Sequence, residues 1–211
     1  MKHQIHNLII AVGTLCLCGC ANTSIKQSWK SPAYHDGPLQ KIAVVAVDER
    51  GLVRQGFENR FERDLRASRQ EAAATHELLS LPEIKADKNA AAARLRGTGA
   101  TAVLIVRLID QTTYGREVQA THERWVPTVT GYDNYGWYDC YSVAYMNLGV
   151  TWGSSKQKVY LDSSLFDLKS GQRLWSALTL TSLKEETDRL AEVDSLVDKV
   201  VAAMRKDGLA R

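Results

Sequence analysis

Two histidines come closest to a metal-binding pattern in this sequence. His76 and His122 are each followed by a glutamate, as in the H-E-x-x-H motif, in which two histidines on one helix face bind zinc. The fifth positions here are Ser80 and Val126 rather than histidine. Because one imidazole does not make a zinc site, we predict no metal site in this chain.

A G-x-G-x-x-A pattern at residues 97–102 matches the motif that cradles the phosphates of a dinucleotide. That chemistry needs the glycines between a strand and the N-terminus of a helix. Here a predicted helix precedes Gly97 and a predicted strand follows Gly99, so we expect the glycines to end a helix. The sequence also has no Walker loop and no G-x-S-x-G elbow. We therefore predict no cofactor, no catalytic residue and no enzymatic activity.

The chemistry that the sequence does support is lipidation of Cys20. Lys2 is the only charged residue before Cys20, and the run 8–18 that follows it is mostly apolar. A membrane-spanning helix needs about 20 apolar residues, so this shorter run fits the h-region of a signal peptide. The run leads into L-C-G-C, which resembles the bacterial lipobox. The resemblance implies a signal peptide at 1–19 and a diacylglycerol on the sulfur of Cys20.

The residue after Cys20 indicates the destination of such a lipoprotein. Position 21 is alanine and not the aspartate that resembles an inner-membrane retention signal. We therefore expect the protein at the outer membrane, facing the periplasm, with the membrane as a partner through the lipid on Cys20. Several acyl chains on one cysteine are enough for stable anchoring.

Cys140 would be the one thiol left after the signal peptide is removed and Cys20 is lipidated. It can form no disulfide within such a chain. Two interpretations stay open at this point, a buried inert thiol and an intermolecular disulfide in an oxidising compartment.

The composition is that of a globular protein. Hydrophobic residues make up 45% of the 211 residues, charged residues make up 24%, and the mean hydropathy is −0.26. These values exclude a disordered chain and a bundle of membrane helices. The 27 basic and 24 acidic side chains nearly balance, so no nucleic-acid partner is expected.

The N-terminal part of the mature chain has no apolar periodicity. Residues 20–39 contain Pro32, Gly37 and Pro38, and we predict that they form a lipidated cysteine followed by a flexible tether. Such a tether would reach about 60 Å when fully extended and roughly 25 Å as a coil.

Residues 40–211 show the patterns of a single α/β (α+β) domain. Strands are predicted from apolar or alternating runs, and helices from residues that recur at helical spacing. The order is β-α-β-α-β followed by β-β-α, which predicts a mixed β-sheet packed by helices. In the first helix, alternating arginines and acids indicate a solvated face. The predicted strands are 41–47, 75–81, 101–108, 158–167 and 173–181, and the predicted helices lie around 57–69, 88–96 and 190–204.

Three blocks of this domain resemble a set of small bacterial lipoproteins. They are the strand Gly99–Val106, the hairpin Leu165–Ser176 and the ending Arg205–Leu209. In outline the domain is similar to the α/β domain of the TolB N-terminal region, the curli-secretion lipoprotein and LpoB. The resemblance covers roughly 40–110 and 158–209 and implies a fold, and it brings no catalytic residue.

An aromatic-rich insertion at 113–152 is the candidate binding segment. It holds nine of the 16 aromatic residues of the chain. Long irregular segments in compact domains are often functional, and the aromatic density argues against disorder. Two alternatives remain, a recognition surface and a hairpin that only covers the sheet. The candidate binding residues are Tyr132, Tyr135, Trp137, Tyr138 and Tyr141.

Together these features predict a non-enzymatic binding or assembly module of the cell envelope, anchored at the outer membrane. Its expected partner is another envelope protein or a second copy of the chain. The alternative is a carrier or sensor that binds a sugar or a peptidoglycan fragment by stacking on tyrosine and tryptophan rings.

Overall fold

The structure, a computed structural model, describes residues 22–113, 157–183 and 189–211. Within these ranges the chain forms six strands and four helices, and none of these helices is long and apolar enough to cross a membrane. In chain order they are β1 Asn22–Lys30, β2 Lys41–Val47, α1 Gly51–Ala67, β3 Glu71–Ala74, α2 Leu81–Ala86, α3 Lys88–Gly97, β4 Ala102–Thr113, β5 Gln157–Asp167, β6 Arg173–Leu183 and α4 Arg189–Lys206.

The six strands form one mixed sheet in the order β1-β6-β5-β4-β2-β3. The pairs β2–β3 and β2–β4 are parallel, and the other three pairs are antiparallel. The predicted fold class, a mixed sheet packed by helices, is confirmed. The element order differs from the prediction by an additional strand, β1, in front and an additional helix, α2.

Helices cover both faces of the sheet, because alternate residues of a strand point to opposite faces. Val44 and Leu104 pack with α1 and α4, whereas Val45 and Ile105 pack with α2 and α3. Strand β2 is therefore buried on both sides, as its apolar sequence predicts. The result is a three-layer arrangement of helices, sheet and helices.

The structure contradicts the predicted tether at 20–39 over much of its length. Residues 22–30 form β1, which pairs antiparallel with β6 from Asn22 to Lys30. Ile25 packs on the main core, and Trp29 lies under the guanidinium of Arg173, 4.8 Å from the ring centre. An edge strand buries few side chains, so its sequence need not be apolar. The backbone hydrogen bonds of β6 hold the segment instead.

The strand predicted at 75–81 is also wrong. Strand β3 lies at Glu71–Ala74, and a turn follows it. The hydroxyl of Thr75 donates to the carbonyl of Val44 at 2.8 Å, which ends the strand beside β2. Ser80 then caps α2, since its hydroxyl accepts from the N–H of Glu83 and the Glu83 carboxylate accepts from the N–H of Ser80.

The C-terminal part agrees with its prediction. Leu196, Val200 and Met204 are fully buried on one face of α4. Trp175 is also fully buried, and its Nε1 donates to the carboxylate of Asp207 at 2.8 Å. Gly208 has φ +76° and ends the helix in the left-handed conformation.

Candidate functional site

The residues that the sequence predicts to be functional lie outside the described part of the chain. This holds for the predicted lipidation site and for the whole candidate binding set, so each of them stays a prediction. They are Cys20, Tyr132, Tyr135, Trp137, Tyr138 and Tyr141, and Cys140 lies outside as well.

The described strands nevertheless fix where the insertion leaves and re-enters the sheet. Thr113 at the end of β4 pairs with Gln157 at the start of β5. In the adjacent row of paired residues, β5 joins β6, and Ser182 of β6 pairs with Asn22. Thr113 on β4 and Asn22 on β1 are therefore separated by three strand spacings of about 4.8 Å, or about 14 Å in total. We call this end of the sheet the Asn22 end.

The carboxyl end of β2 is a second candidate position for a site, because the helical connections on its two sides lie on opposite faces of the sheet. Open α/β sheets bind ligands at the carboxyl ends of strands at such a point. Here α1 leads from β2 to β3 on one face, and α2 and α3 lead from β3 to β4 on the other. The residues at this point are charged, and an ion pair of 2.5 Å joins Arg50 to Asp48.

Glu58 is the centre of the charge cluster at this point. It is fully buried, and its Oε1 accepts from the N–H of Ala46 at 3.0 Å and from Nε of Arg54 at 2.8 Å. Its Oε2 accepts from the N–H of Thr75 at 2.8 Å and contacts Nδ1 of His76 at 3.3 Å. The carboxylate thus connects α1, β2 and the turn after β3.

A second buried ion pair lies across β4 and β5. Arg107 and Asp162 are directly opposite each other, and Nε of Arg107 donates to Oδ2 of Asp162 at 2.8 Å. The hydroxyl of Ser164 donates to the same carboxylate. A buried charge needs such a partner, and this pair joins β4 to β5.

The arginines Arg63 and Arg66 of α1 are exposed, as the predicted solvated face requires, but Arg60 is an exception. Arg60 is largely buried and contacts Asp64 on its own helix together with Asp194 and Asp198 on α4. Burial raises the pKa of Asp198, and its hydrogen bond with Asp64 raises it further, while Arg60 opposes the shift. The network joins α1 to α4 at the surface of the main core.

No group of three or more potential metal ligands occurs among the described residues. His76, the only described member of the two histidine motifs, contacts Glu58 rather than a second histidine. Gly99 has φ +83° and lies between the end of α3 and the start of β4. This agrees with the prediction that the glycines end a helix.

The sequence indicates one of the two buried ion pairs, Arg107–Asp162, but not the other, Arg54–Glu58. Arg107 interrupts the apolar run 102–108 in the first half of β4, and such an isolated charge requires a buried partner. Arg54 and Glu58 have the common i,i+4 spacing of surface ion pairs, so nothing in the spacing reveals that both are buried.

Comparison with known proteins identifies no family for this chain. No protein-family model matches it, and no curated protein matches it. Among solved structures it is similar to two structures of the PelC dodecamer from Paraburkholderia phytofirmans. Their identities are 16% and 13% and their TM-scores are 0.48 and 0.47, with 90% of this chain and 99% of each PelC chain covered.

The chain is also similar to lipoprotein GNA1162 from Neisseria meningitidis. The identity is 14% and the TM-score 0.41, with 79% of this chain and 98% of the other covered. Similarity at these identities and TM-scores does not establish a function for this chain.

Proposed function

We propose that this protein is a non-enzymatic lipoprotein of the bacterial cell envelope. In this proposal, lipid on Cys20 anchors it in the outer membrane, and the domain binds or assembles with a partner on the periplasmic side. The partner is another envelope protein or a second copy of the chain. The proposal includes a similarity in outline between this domain and the α/β domains of the TolB N-terminal region, the curli-secretion lipoprotein and LpoB.

The observation that supports this proposal best is the position of β1. The strand begins at Asn22, only two residues after Cys20, and two extended residues span about 7 Å. Strand β1 pairs with β6 from Asn22 to Lys30 with one register shift, and the buried hydroxyls of Thr23 and Thr181 lie 3.0 Å apart. A lipid on Cys20 would therefore hold the Asn22 end directly at the membrane surface, with no free tether.

The insertion at 113–152 supports a function at this same place, because it leaves the sheet at the Asn22 end. Tyrosine and tryptophan rings favour the membrane–water interface and are also frequent in binding hot spots. We therefore place partner binding beside the membrane, on Tyr135, Trp137 and Tyr138 first. The alternative, a carrier that stacks a sugar on these rings, stays a prediction.

The absence of enzymatic activity is also part of the proposal. Its support is that the buried carboxylates of Glu58 and Asp162 are both used in contacts that hold the fold. A general acid or base needs access to a substrate and freedom to exchange a proton.

A spacer experiment tests the membrane-proximal function. We would insert about ten glycine and serine residues between Ala21 and Asn22, which adds roughly 17 Å of flexible reach. The matched control carries the same spacer between Ser170 and Gly171, in the exposed turn of the β5–β6 hairpin. Partners are then captured by cross-linking in intact envelopes, and size-exclusion chromatography separates self-association from other partners.

We expect the spacer before Asn22 to leave thermal unfolding unchanged and to reduce partner capture, and the control to retain capture. Equal capture by both variants would contradict a function that depends on closeness to the membrane. Cys20→Ala tests the anchor itself, because the protein should then move from the membrane to the soluble periplasmic fraction. Retention in the membrane fraction would contradict the lipid anchor.

A further inference from the structure

Two leucines of β6 are buried outside both core clusters of the described residues. Leu178 pairs with Asp162, which pairs with Arg107, two residues after Ile105 on β4. Because alternate residues of a strand share a face, Leu178 and Leu180 lie on the same face as Ile105, the face of α2 and α3. They are only 4% and 8% exposed, yet neither belongs to the core cluster on either face. Another segment must therefore cover them.

The covered area is a strip over β5 and β6. It runs from Ser164 and Ser176, which are also buried, to Leu180 in the direction of the Asn22 end. On the neighbouring strand β1, Gln27 lies on the same face and is exposed, so the cover does not extend across β1. Two strands with a spacing of about 4.8 Å make this strip about 10 Å wide. One segment of chain is enough to cover it.

Three stretches of the chain lie outside the described residues, and they are 1–21, 114–156 and 184–188. Residues 184–188 connect β6 to α4, which packs on the opposite face, so they lead away from the strip. Residues 1–19 are removed from the mature protein in the proposed function, and our inference rests on that function for this one step. The aromatic insertion remains as the cover.

The insertion has the reach that this requires. It leaves the sheet at Thr113 and re-enters it at Gln157, directly beside the strip. The far end of the strip, at Ser164, is seven residues along β5 from Gln157, which is about 24 Å. About eight extended residues of the insertion span this distance, so most of its length is left for other contacts.

The second half of the insertion has the sequence pattern of a segment with one apolar face. Apolar and aromatic residues alternate with small or polar ones there, with one change of phase, and such alternation is typical of a half-buried strand. We call residues 143–152 the stem segment. Its apolar positions are Val143, Tyr145, Leu148, Val150 and Trp152.

We infer that the stem segment packs on Leu178 and Leu180 and completes the core on this face of the sheet. The insertion then has two parts with different roles. The stem segment belongs to the fold, whereas Tyr135, Trp137 and Tyr138 lie in the part before it and stay available to a partner. This deepens the proposed function, because it assigns packing and recognition to different residues of the insertion.

Protection of a thiol placed under the stem segment tests this inference. Leu178→Cys is introduced together with Cys140→Ser into the full-length lipidated protein in detergent, so that it supplies the free thiol. Two reference variants are made in the same way, Ile105→Cys under α2 and α3 and Ser170→Cys in the exposed hairpin turn. We expect a maleimide to modify position 178 at least about tenfold more slowly than position 170, as it does position 105.

The stem variant Leu148→Ser with Val150→Ser removes apolar contacts from the proposed cover. We expect it to raise the modification rate at position 178 by about tenfold and to leave position 105 protected. The matched control is Trp137→Ala with Tyr138→Ala, which changes the other part of the insertion. It should leave both positions protected.

Cross-linking provides a second measurement that does not need the stem variant to fold. Leu178→Cys is combined in turn with Leu148→Cys, Val150→Cys or Trp152→Cys and treated with a short bifunctional maleimide. We expect an intramolecular cross-link in at least one of the three combinations. The control combination, with Trp137→Cys, should give none.

Three results would overturn the inference. These are a thiol at position 178 that reacts as fast as the one at position 170, a folded stem variant in which position 178 stays protected, and no cross-link from any position of the stem segment. Mass spectrometry of the same samples reports separately whether residues 1–19 are removed. Failure of the anchor and failure of the packing inference are therefore distinguishable.

Discussion

The replacement Glu58→Gln tests whether the buried charge cluster holds the fold rather than a reaction. The glutamine side chain would have nearly the same shape as the carboxylate but no charge and only one acceptor oxygen. Arg54, which is 5% exposed, would then remain buried without its anionic partner. The new amide nitrogen would also face a donor, either the N–H of Ala46 or the N–H of Thr75.

The expected cost is large compared with the stability of a domain. Removing one partner of a buried ion pair costs about 3–5 kcal/mol, and a buried donor without an acceptor costs about 1–3 kcal/mol. The two contributions overlap, so we expect a loss of about 4 kcal/mol or more from a total of about 5–15 kcal/mol. For a domain of this size, that loss lowers the melting temperature by roughly 10 °C.

Urea unfolding followed by circular dichroism and tryptophan fluorescence measures this loss. The matched control is Glu62→Gln, one turn later on α1. Glu62 also accepts a backbone N–H, from Ala74, and pairs with Arg66, but it is more exposed. We expect it to cost less than about 1 kcal/mol. If Glu58→Gln cost no more than this control, the cluster would not hold the fold, and a functional role for Glu58 would have to be considered.

Three further predictions follow from other parts of the chain. Leu196→Ala should destabilise the domain by about 2–5 kcal/mol, because the side chain is fully buried between α4 and the sheet, and an unchanged melting temperature would contradict that packing. Mass spectrometry of the mature protein should find diacylglycerol on an N-terminal Cys20, and an unmodified thiol would refute the lipobox assignment. The double variant Trp137→Ala with Tyr138→Ala should lose partner capture and keep its melting temperature, whereas lost stability with unchanged partners would mean that the rings only pack.

The sequence predicts those parts of the fold in which burial and periodicity coincide. Strand β2 and the start of β4 are continuous apolar runs, and the β5–β6 hairpin and α4 show clear alternation and helical spacing. Asp87 caps α3 as expected, since its carboxylate accepts from the N–H groups of Asn89 and Ala90. In these elements the local pattern and the tertiary environment favour the same structure.

The sequence fails where long-range contacts decide the structure. Strand β1 has a polar sequence, and its pairing with β6 becomes evident only when the sheet is assembled. A similar cause explains why β3 ends just before the strand predicted at 75–81. The hydroxyl of Thr75 donates to the carbonyl of Val44 on the neighbouring strand, which no local pattern reveals. For the candidate site, the buried state of Glu58 is not encoded in a local pattern.

The pairing of β1 with β6 has a consequence for the order in which the protein forms. Thr23 and Thr181 are separated by 158 residues, so the first strand of the domain pairs with one of the last segments to be made. Contacts of such large separation form late in folding, because the loop between them must first be closed. The residues of β1 thus stay unpaired until β6 has been made. An enzyme that modifies or cleaves at Cys20 would meet an open chain, and the sheet would close over that segment afterwards.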